Sequence, residues 1–167
     1  SETYAMLIRM FHEVDKKVVF DASGEPLSLG LKEQPGIIKP NMQEFKDCCG
    51  KLFRGKKNDF INAMRRMTEN HEVVIVSDGL NGAYFCDSSR VLHAISPKVP
   101  VVDTTGAGDT LLGQFCCDYF PGCKLTERVA SRAVAAGSVA VGMKSTPVPP
   151  VARIKALAKR VVVREIA

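Results

Sequence analysis

The residues of this chain that could carry out chemistry centre on the stretch Thr104-Thr105-Gly106-Ala107-Gly108-Asp109-Thr110. Gly106, Ala107 and Gly108 carry little or no side chain, so an anion can come close to their backbone N–H groups. The apolar residues after the stretch predict a helix, whose first N–H groups lack partners and carry the positive end of its dipole. Asp109 adds a carboxylate beside this anion site. A site that binds phosphate and also removes a proton needs this combination.

Two roles for Asp109 are open from the pattern alone. Aspartate is a good N-terminal cap and glycine is common in turns, so a capped turn without chemistry explains the same residues. The apolar run Val99–Asp103 predicts a strand that leads into the turn, and Thr110–Cys117 predicts the helix that leaves it. Ligands in open α/β sheets gather at the carboxyl ends of strands, which favours a binding role for this turn.

Two further polar motifs follow predicted strands. Lys39-Pro40-Asn41-x-x-Glu44 follows the apolar run at 36–39, and Ser77-x-Gly79-x-x-Gly82 follows the run at 73–76. Because all three motifs lie at the carboxyl ends of predicted strands, we expect them to face one crevice. The first motif also has the spacing of a helix capping box, and the second that of an ordinary turn. Purely structural roles therefore stay open for both.

Short apolar runs that alternate with amphipathic segments predict an α/β fold with a largely parallel sheet. The expected helices cover residues 3–14, 41–49, 58–70, 125–141 and 151–160, besides the helix after Asp109. The expected strands cover residues 17–21, 36–39, 73–76 and 161–165, with a hairpin over 83–95. Residues 22–30 read as a loop, and no linker divides the chain.

Composition sets limits on the partners of the chain. Its 167 residues, 46% hydrophobic and 25% charged, suit one globular domain with a core. The net charge of +5 suits small anionic ligands and is too diffuse to indicate nucleic acid. A basic cluster attracts phosphate or is a solvated face, and it comprises Lys51, Arg54, Lys56 and Lys57. No apolar run reaches transmembrane length and no signal-peptide pattern is present, so we expect a cytoplasmic protein without membrane contact.

The six cysteines do not have the spacing of a metal site. They are Cys48, Cys49, Cys86, Cys116, Cys117 and Cys123. Because no C-x-x-C pattern is present, we do not expect a zinc site. We expect reduced thiols that are mostly buried.

The segment Val102–Phe115 resembles the second signature of the PfkB-type carbohydrate kinases, which have a ribokinase-like fold. The order and spacing of the motifs over residues 1–167 are similar to the C-terminal, nucleotide-binding and catalytic part of such a kinase domain. The resemblance implies an α/β, ribokinase-like fold with a largely parallel sheet flanked by helices, truncated at the N-terminal side. Asp21-Ala22-Ser23-Gly24-Glu25 and Ile38-Lys39-Pro40-Asn41 look most like the branch that phosphorylates sugar phosphates, such as fructose 1-phosphate and tagatose 6-phosphate.

This resemblance implies roles for individual residues in an ATP-dependent transfer to a sugar phosphate. Asp109 would be the general base, and Gly106, Ala107 and Gly108, with the Asp109 N–H, would form the anion hole. Lys39, Asn41 and Glu44 would lie near the ATP phosphates and Mg²⁺, with Asn41 and Glu44 holding the metal through water. The residues implied at the nucleotide are Lys39, Asn41, Ser77, Gly79, Gly82, Thr105 and Ser138. Backbone carbonyls near Asp103 and Thr105 would bind a monovalent cation, as in some relatives.

Two departures from the family pattern qualify these expectations. The loop Gly142–Pro147 lacks the Gly-Thr pair that usually borders the nucleotide, and the face Ala133–Ser138 fits either an adenine border or close helix packing. The family's N-terminal half, with most sugar contacts and a lid that often builds a homodimer, has no counterpart in residues 1–167. We therefore expect this chain alone to be inactive and to oligomerise or dissolve poorly. A non-catalytic module that binds nucleotide or another anion is the alternative.

Overall fold

The computed structural model describes residues 2–50, 57–144 and 148–167. Within these residues the helices are α1 (Thr3–Glu13), α2 (Gly24–Leu31), α3 (Met42–Cys49), α4 (Lys57–Met67), α5 (Ala107–Tyr119), α6 (Glu127–Ala140) and α7 (Val151–Ala158). The strands are β1 (Val19–Phe20), β2 (Ile37–Ile38), β3 (Val73–Ser77), β4 (Ala83–Cys86), β5 (Val91–Ile95) and β6 (Val162–Glu165). The basic cluster and residues 145–147 of the loop after α6 lie outside the part that is described, apart from the backbone of Lys57.

The strands form a six-stranded sheet in the order β1-β2-β3-β4-β5-β6. The pairs β1–β2 and β2–β3 are parallel, whereas β5 and β6 are antiparallel, so the sheet is mixed. Val73, Val74, Ile75 and Val76 of β3 are all fully buried, as a continuous apolar strand in an α/β sheet should be. The predicted α/β class, with helices flanking a sheet that contains parallel strands, is therefore confirmed.

The chain divides into two compact units. The first comprises residues 1–77, 86–91 and 167, and it contains β1 to β3 and α1 to α4. Its core includes an edge-on contact between the rings of Phe45 and Phe60, whose centroids lie 5.2 Å apart. This contact packs α3 against α4.

The second unit comprises residues 78–85 and 92–166. It contains α5, α6 and α7, and α5 packs along α6. In its core the ring of Phe115 stacks on Phe85 at 5.8 Å and on Tyr119 at 5.0 Å. Phe115 and Tyr119 both belong to α5, whereas Phe85 belongs to β4, so the Phe85–Phe115 stack packs the helix that follows the Gly106–Asp109 turn against β4.

The predicted loop at 22–30 is wrong, because these residues form most of α2. Ser23 is the N-cap with extended backbone angles, and Pro26 falls in the first turn, where the missing N–H would have no partner in any case. The helix buries Leu27, which is 2% exposed. Gly24 and Pro26 are typical of turns, but here they lie at the start of a helix, and for this reason the sequence pattern predicts a loop.

The predicted strand at Val99–Asp103 is also wrong. Val101 and Val102 are 50% and 53% exposed, so the apolar run does not enter the core. The backbone N–H groups of Val102 and Asp103 both donate to the Val141 carbonyl, at 2.7 and 3.1 Å. The end of α6 thus supplies the hydrogen-bond acceptor for these N–H groups, as a neighbouring strand would in a sheet.

The predicted burial of the cysteines holds for only some of them. All six are free thiols, but Cys48, Cys117 and Cys123 are exposed, whereas Cys49 and Cys86 are buried. Successive residues on a helix point about 100° apart, and in each adjacent pair one thiol, that of Cys48 or of Cys117, points outward. Burial raises the pKa values of Cys49 and Cys86 to about 11, which leaves both thiols protonated and unreactive at neutral pH.

Among the helices of the described residues, none combines the length and the apolar character that crossing a bilayer requires. Helix α1 nevertheless presents a largely exposed apolar face. Six large apolar residues are between 38% and 60% exposed, namely Tyr4, Met6, Leu7, Met10, Phe11 and Val14. Contiguous apolar surface of this kind promotes self-association or precipitation.

We expect the isolated chain to self-associate or precipitate, and the substitution Phe11→Lys on this face to reduce that tendency. Sedimentation velocity over a range of concentrations measures the effect. His12→Lys adds a lysine at the next position on the polar side of α1 and should leave the association unchanged. A wild-type chain that stays monomeric and soluble at every concentration would contradict the expectation.

Candidate active site

The Gly106–Asp109 turn forms the N-terminus of α5. Gly106 is the N-cap, with a φ of 74° in the left-handed region that favours glycine, and no side chain caps the helix. The capping role that the sequence left open for Asp109 therefore does not apply. Asp109 lies in the first helical turn, where its charge interacts favourably with the helix dipole.

The backbone donors of this turn are largely free. The Ala107 N–H donates to the Thr104 carbonyl at 3.3 Å, and the helix ladder begins with the Thr110 N–H on the Gly106 carbonyl at 2.9 Å. No acceptor in residues 2–50, 57–144 or 148–167 pairs with the N–H groups of Gly108 and Asp109. The exposed Asp109 carboxylate likewise has no partner there. The turn thus presents unpaired donors and an unpaired carboxylate together.

The segment just before the turn is held by Asp103. Its Oδ1 accepts the Thr105 N–H at 2.9 Å. Hydrogen bonds from the N–H and the hydroxyl of Thr105 hold the pKa of Asp103 below its ordinary value. The backbone carbonyls of Asp103 and Thr105 accept no hydrogen bond from the residues that are described. Free carbonyl oxygens are suitable ligands for a hard cation, so these two residues fit the expected monovalent site.

In the first unit, Lys39 is a buried charge with a defined partner. Its side chain is 7% exposed, and its Nζ lies 2.8 Å from Oδ2 of Asp21. The parallel register pairs Phe20 with Ile38, so the next residue of each strand emerges at the same sheet edge. The sequence analysis does not predict Asp21 as a site residue. The strand register identifies it, because it places Asp21 beside Lys39.

Asn41 and Glu44 form the capping box that their spacing predicts. The Asn41 Oδ1 accepts the N–H groups of Gln43 and Glu44, each at 2.9 Å. The Glu44 Oε2 accepts the Asn41 N–H at 2.8 Å. In the same unit, Asn41 pairs with Ser77 across a parallel bridge, which brings these two predicted residues together.

The capping box leaves room for the expected magnesium. The Glu44 Oε1 has no partner among the described residues, so one carboxylate oxygen stays available. The described part of the chain contains no group of three or more histidine, cysteine or acidic side chains that could enclose a metal. Mg²⁺ keeps several waters and is often held by one or two carboxylates together with substrate phosphates. The donor set therefore fits a metal held through water.

In the second unit, residues 78–82 form a tight turn around a 3-10 segment (Gly79–Asn81). The Asp78 N–H donates to the Gly82 carbonyl at 2.8 Å, and His93 Nε2 lies 3.1 Å from the Asn81 carbonyl. Gly82 has a φ of 95°, and a Cβ there would overlap the Ala94 carbonyl oxygen and lie 2.7 Å from Ser96 N. Only glycine fits this position.

Ser138 lines a cavity of about 410 Å³ in the second unit. The hydroxyls of Ser138 and Ser96 are 2.8 Å apart. The cavity is lined by Val99, Pro100, Ser138, Val139, Gly142, Arg153, Ala156, Leu157 and Arg160. Its volume and its mixture of apolar and cationic residues suit a small anionic ligand with an apolar part.

The predicted site residues are thus divided between the two units. Lys39, Asn41, Glu44 and Ser77 lie in the first, and Gly79, Gly82, Thr105, Gly106, Ala107, Gly108, Asp109 and Ser138 lie in the second. Sequence reasoning missed Asp21 and Ser96, because each is identified only through its contact with a residue distant in the chain.

Comparisons with known proteins match this description. The profile of the "pfkB family carbohydrate kinase" matches residues 1–151. The 1-phosphofructokinase of Rhodobacter capsulatus is 31% identical over 166 residues, which cover 99% of this chain and 52% of the relative. The 1-phosphofructokinase of Vibrio cholerae is 35% identical over 109 residues, which cover 65% of this chain and 34% of the relative.

Solved structures give the same picture. The phosphofructokinase-2 of Escherichia coli in complex with potassium superposes with a TM-score of 0.84 at 25% identity, over 95% of this chain and 52% of that one. The ribokinase of Thermotoga maritima has a TM-score of 0.74 at 23% identity, over 93% and 53% of the two chains, which shows the ribokinase-like fold. The chain spans about half the length of the curated relatives that it matches almost from end to end.

Gly82→Ala should lower the free energy of unfolding by about 2–4 kcal/mol, because it combines backbone strain with overpacking. Gly79→Ala is the matched control in the same turn. Its φ is 53° but nothing lies within 4 Å of the added Cβ, so only the backbone strain of about 1–2 kcal/mol applies. Urea unfolding measures both, and equal losses would contradict the assigned packing.

Asp103 should titrate below the ordinary range of a carboxyl group in an NMR pH titration. Because the folded-state pKa is lowered, its hydrogen bonds stabilise the turn above the unfolded pKa, and this contribution is lost as pH falls through the folded value. Thr105→Val removes the hydroxyl bond and should raise the pKa of Asp103, whereas Thr104→Val should leave it unchanged. An equal shift in both variants would argue against the Thr105 contact.

Proposed function

Because the chain belongs to the pfkB family of carbohydrate kinases, we propose that it supplies the nucleotide-binding and catalytic part of a protein that transfers a phosphoryl group from ATP to a hydroxyl group of a sugar phosphate, and that this chain alone is inactive. The observation that carries this proposal is the first turn of α5. There the N–H groups of Gly108 and Asp109 and the Asp109 carboxylate are all without partners in the described residues. Helix-terminal donors suit an anion, and a free carboxylate beside them suits a proton acceptor.

In this proposal Asp109 takes the proton from the attacking hydroxyl of the acceptor. A positioned base of this kind contributes about 10²–10⁴ in rate. The anion hole is formed by Gly106, Ala107, Gly108 and the Asp109 N–H. Because the Ala107 N–H is already shared with the Thr104 carbonyl, Gly108 and Asp109 supply the strongest donors. Phosphoryl transfer depends mainly on positioning and charge stabilisation, which such preorganised donors provide.

Each unit contains residues that we assign to nucleotide binding, and each set is considered by itself. Lys39 supplies a cation for the ATP phosphates, and its ion pair with Asp21 keeps the charge in place in the absence of ligand. In the second unit, the proposed nucleotide contacts are the turn with Gly79 and Gly82 and the cavity beside Ser138. Ser77 and Thr105 complete the proposed contacts.

Two metal ions are part of the proposal. Asn41 and Glu44 hold Mg²⁺ through water, and the ion neutralises charge on the phosphates of ATP. The carbonyls of Asp103 and Thr105 bind a monovalent cation. The phosphofructokinase-2 structure from Escherichia coli, which contains potassium, supports a cation in this fold.

The names of the relatives support our proposals for the acceptor class and for the assembly. Relatives named 1-phosphofructokinase favour fructose 1-phosphate as the acceptor, with tagatose 6-phosphate as the second candidate. A tetrameric form of the Escherichia coli phosphofructokinase-2 supports self-association of the full-length protein. Free thiols and the use of ATP are consistent with a cytoplasmic reaction.

Calorimetry of this chain with MgATP tests the nucleotide assignment. Lys39→Met should weaken binding at least about tenfold, as expected for loss of a hydrogen bond from a charged group. Lys16→Met removes the same charge from an exposed position of the first unit and should leave the affinity unchanged. If Lys39→Met and Lys16→Met bind MgATP with equal affinity, Lys39 does not contact the nucleotide.

A turnover assay of the full-length protein then separates the two functions. ATP- and Mg²⁺-dependent phosphorylation of fructose 1-phosphate or tagatose 6-phosphate supports the kinase. Nucleotide binding without turnover on either acceptor supports the non-catalytic module.

A further inference from the structure

Gly137 of α6 lies against the backbone of the Gly106–Asp109 turn. A Cβ at this position would be 3.1 Å from the Ala107 carbonyl oxygen and 3.4 Å from the Leu111 Cβ. The second distance is close to ordinary van der Waals contact, whereas the first is tighter than real Cβ contacts normally are. The missing side chain therefore lets α6 approach the first residue of α5 directly.

The same end of α6 also holds the segment that leads into the turn. The Val141 carbonyl accepts both the Val102 and the Asp103 N–H groups, at 2.7 and 3.1 Å. The last turn of α6 thus contacts residues 102–107 at their beginning and at their end. All of these residues belong to the second unit.

We propose that Gly137 is a positioning residue for the anion hole, an inference that rests on the function proposed above for Gly106–Asp109. A methyl group at Gly137 would push against a backbone carbonyl, which cannot rotate away as a flexible side chain can. The turn would have to move by a few tenths of an ångström. The donors of Gly108 and Asp109 follow directly in the chain, so they would move with it. Stabilisation of an oxyanion depends steeply on such distances.

Gly113→Ala is the matched control for Gly137→Ala. Gly113 lies on the exposed side of α5, and nothing is within 4 Å of a Cβ built there. Both substitutions replace a helical glycine by alanine, so they gain the same helix propensity. They differ in the contact with Ala107, which only Gly137→Ala disturbs.

The first measurement needs no ligand. We expect Gly137→Ala to shift the amide ¹H–¹⁵N signals of residues 106–109, and Gly113→Ala to leave them in place. Val134→Ala serves as a second reference, because it loses packing in α6 but leaves the Gly137 contact intact; Val134 is 3% exposed. Shifts at residues 106–109 that are as large in Val134→Ala as in Gly137→Ala would overturn the proposal.

The second measurement is the affinity for MgATP and for inorganic phosphate. Gly137→Ala should bind both MgATP and inorganic phosphate roughly three- to tenfold more weakly than wild type, while Gly113→Ala binds both normally. Equal affinity in Gly137→Ala and wild type would overturn the positioning role. If the wild-type chain binds neither probe, the proposed function fails, whereas the amide shifts still decide whether Gly137 sets the geometry of the turn.

Discussion

The account depends on one feature, the N-terminus of α5, whose backbone donors are left without partners. Every helix begins with N–H groups that its own ladder cannot satisfy, and most sequences supply a side chain to cap them. Here the N-cap is Gly106, whose backbone lies in the left-handed region and which has no side chain that could cap the helix. The donors therefore face outward, beside the carboxylate of Asp109. An anion is the partner that such an arrangement lacks.

Two other helices of the chain show how a closed start differs. The first turn of α3 is satisfied by the reciprocal bonds of Asn41 and Glu44. The Thr126 hydroxyl accepts the Val129 N–H at 3.2 Å at the start of α6. In α5 the energetic cost of open donors is offset by packing instead, because Phe115 is fully buried and α6 lies against Ala107. The open end is thus held in place by contacts that leave its donors free.

Features that depend on residues close together in the chain could be predicted from the sequence. Contacts between residues far apart in the chain could not. The capping box and the Gly106–Asp109 turn are local patterns, so spacing alone identified them. The ion pair of Asp21 with Lys39 depends on strand register, and the bond between Ser96 and Ser138 depends on how the second unit folds. The apolar residue types at 99–103 predict a strand, but residue type alone reveals neither the exposure of Val101 and Val102 nor the backbone hydrogen bonds to Val141.

The central claim is that Asp109 accepts a proton at a site where neighbouring backbone N–H groups bind the transferred phosphoryl group. The most direct measurement compares kcat and the MgATP affinity of Asp109→Asn with those of wild type in the full-length protein. Asparagine keeps the size of the side chain and the backbone donor but removes the base. The account predicts that kcat falls by about 10²–10⁴ while MgATP still binds. A kcat close to that of wild type would contradict it.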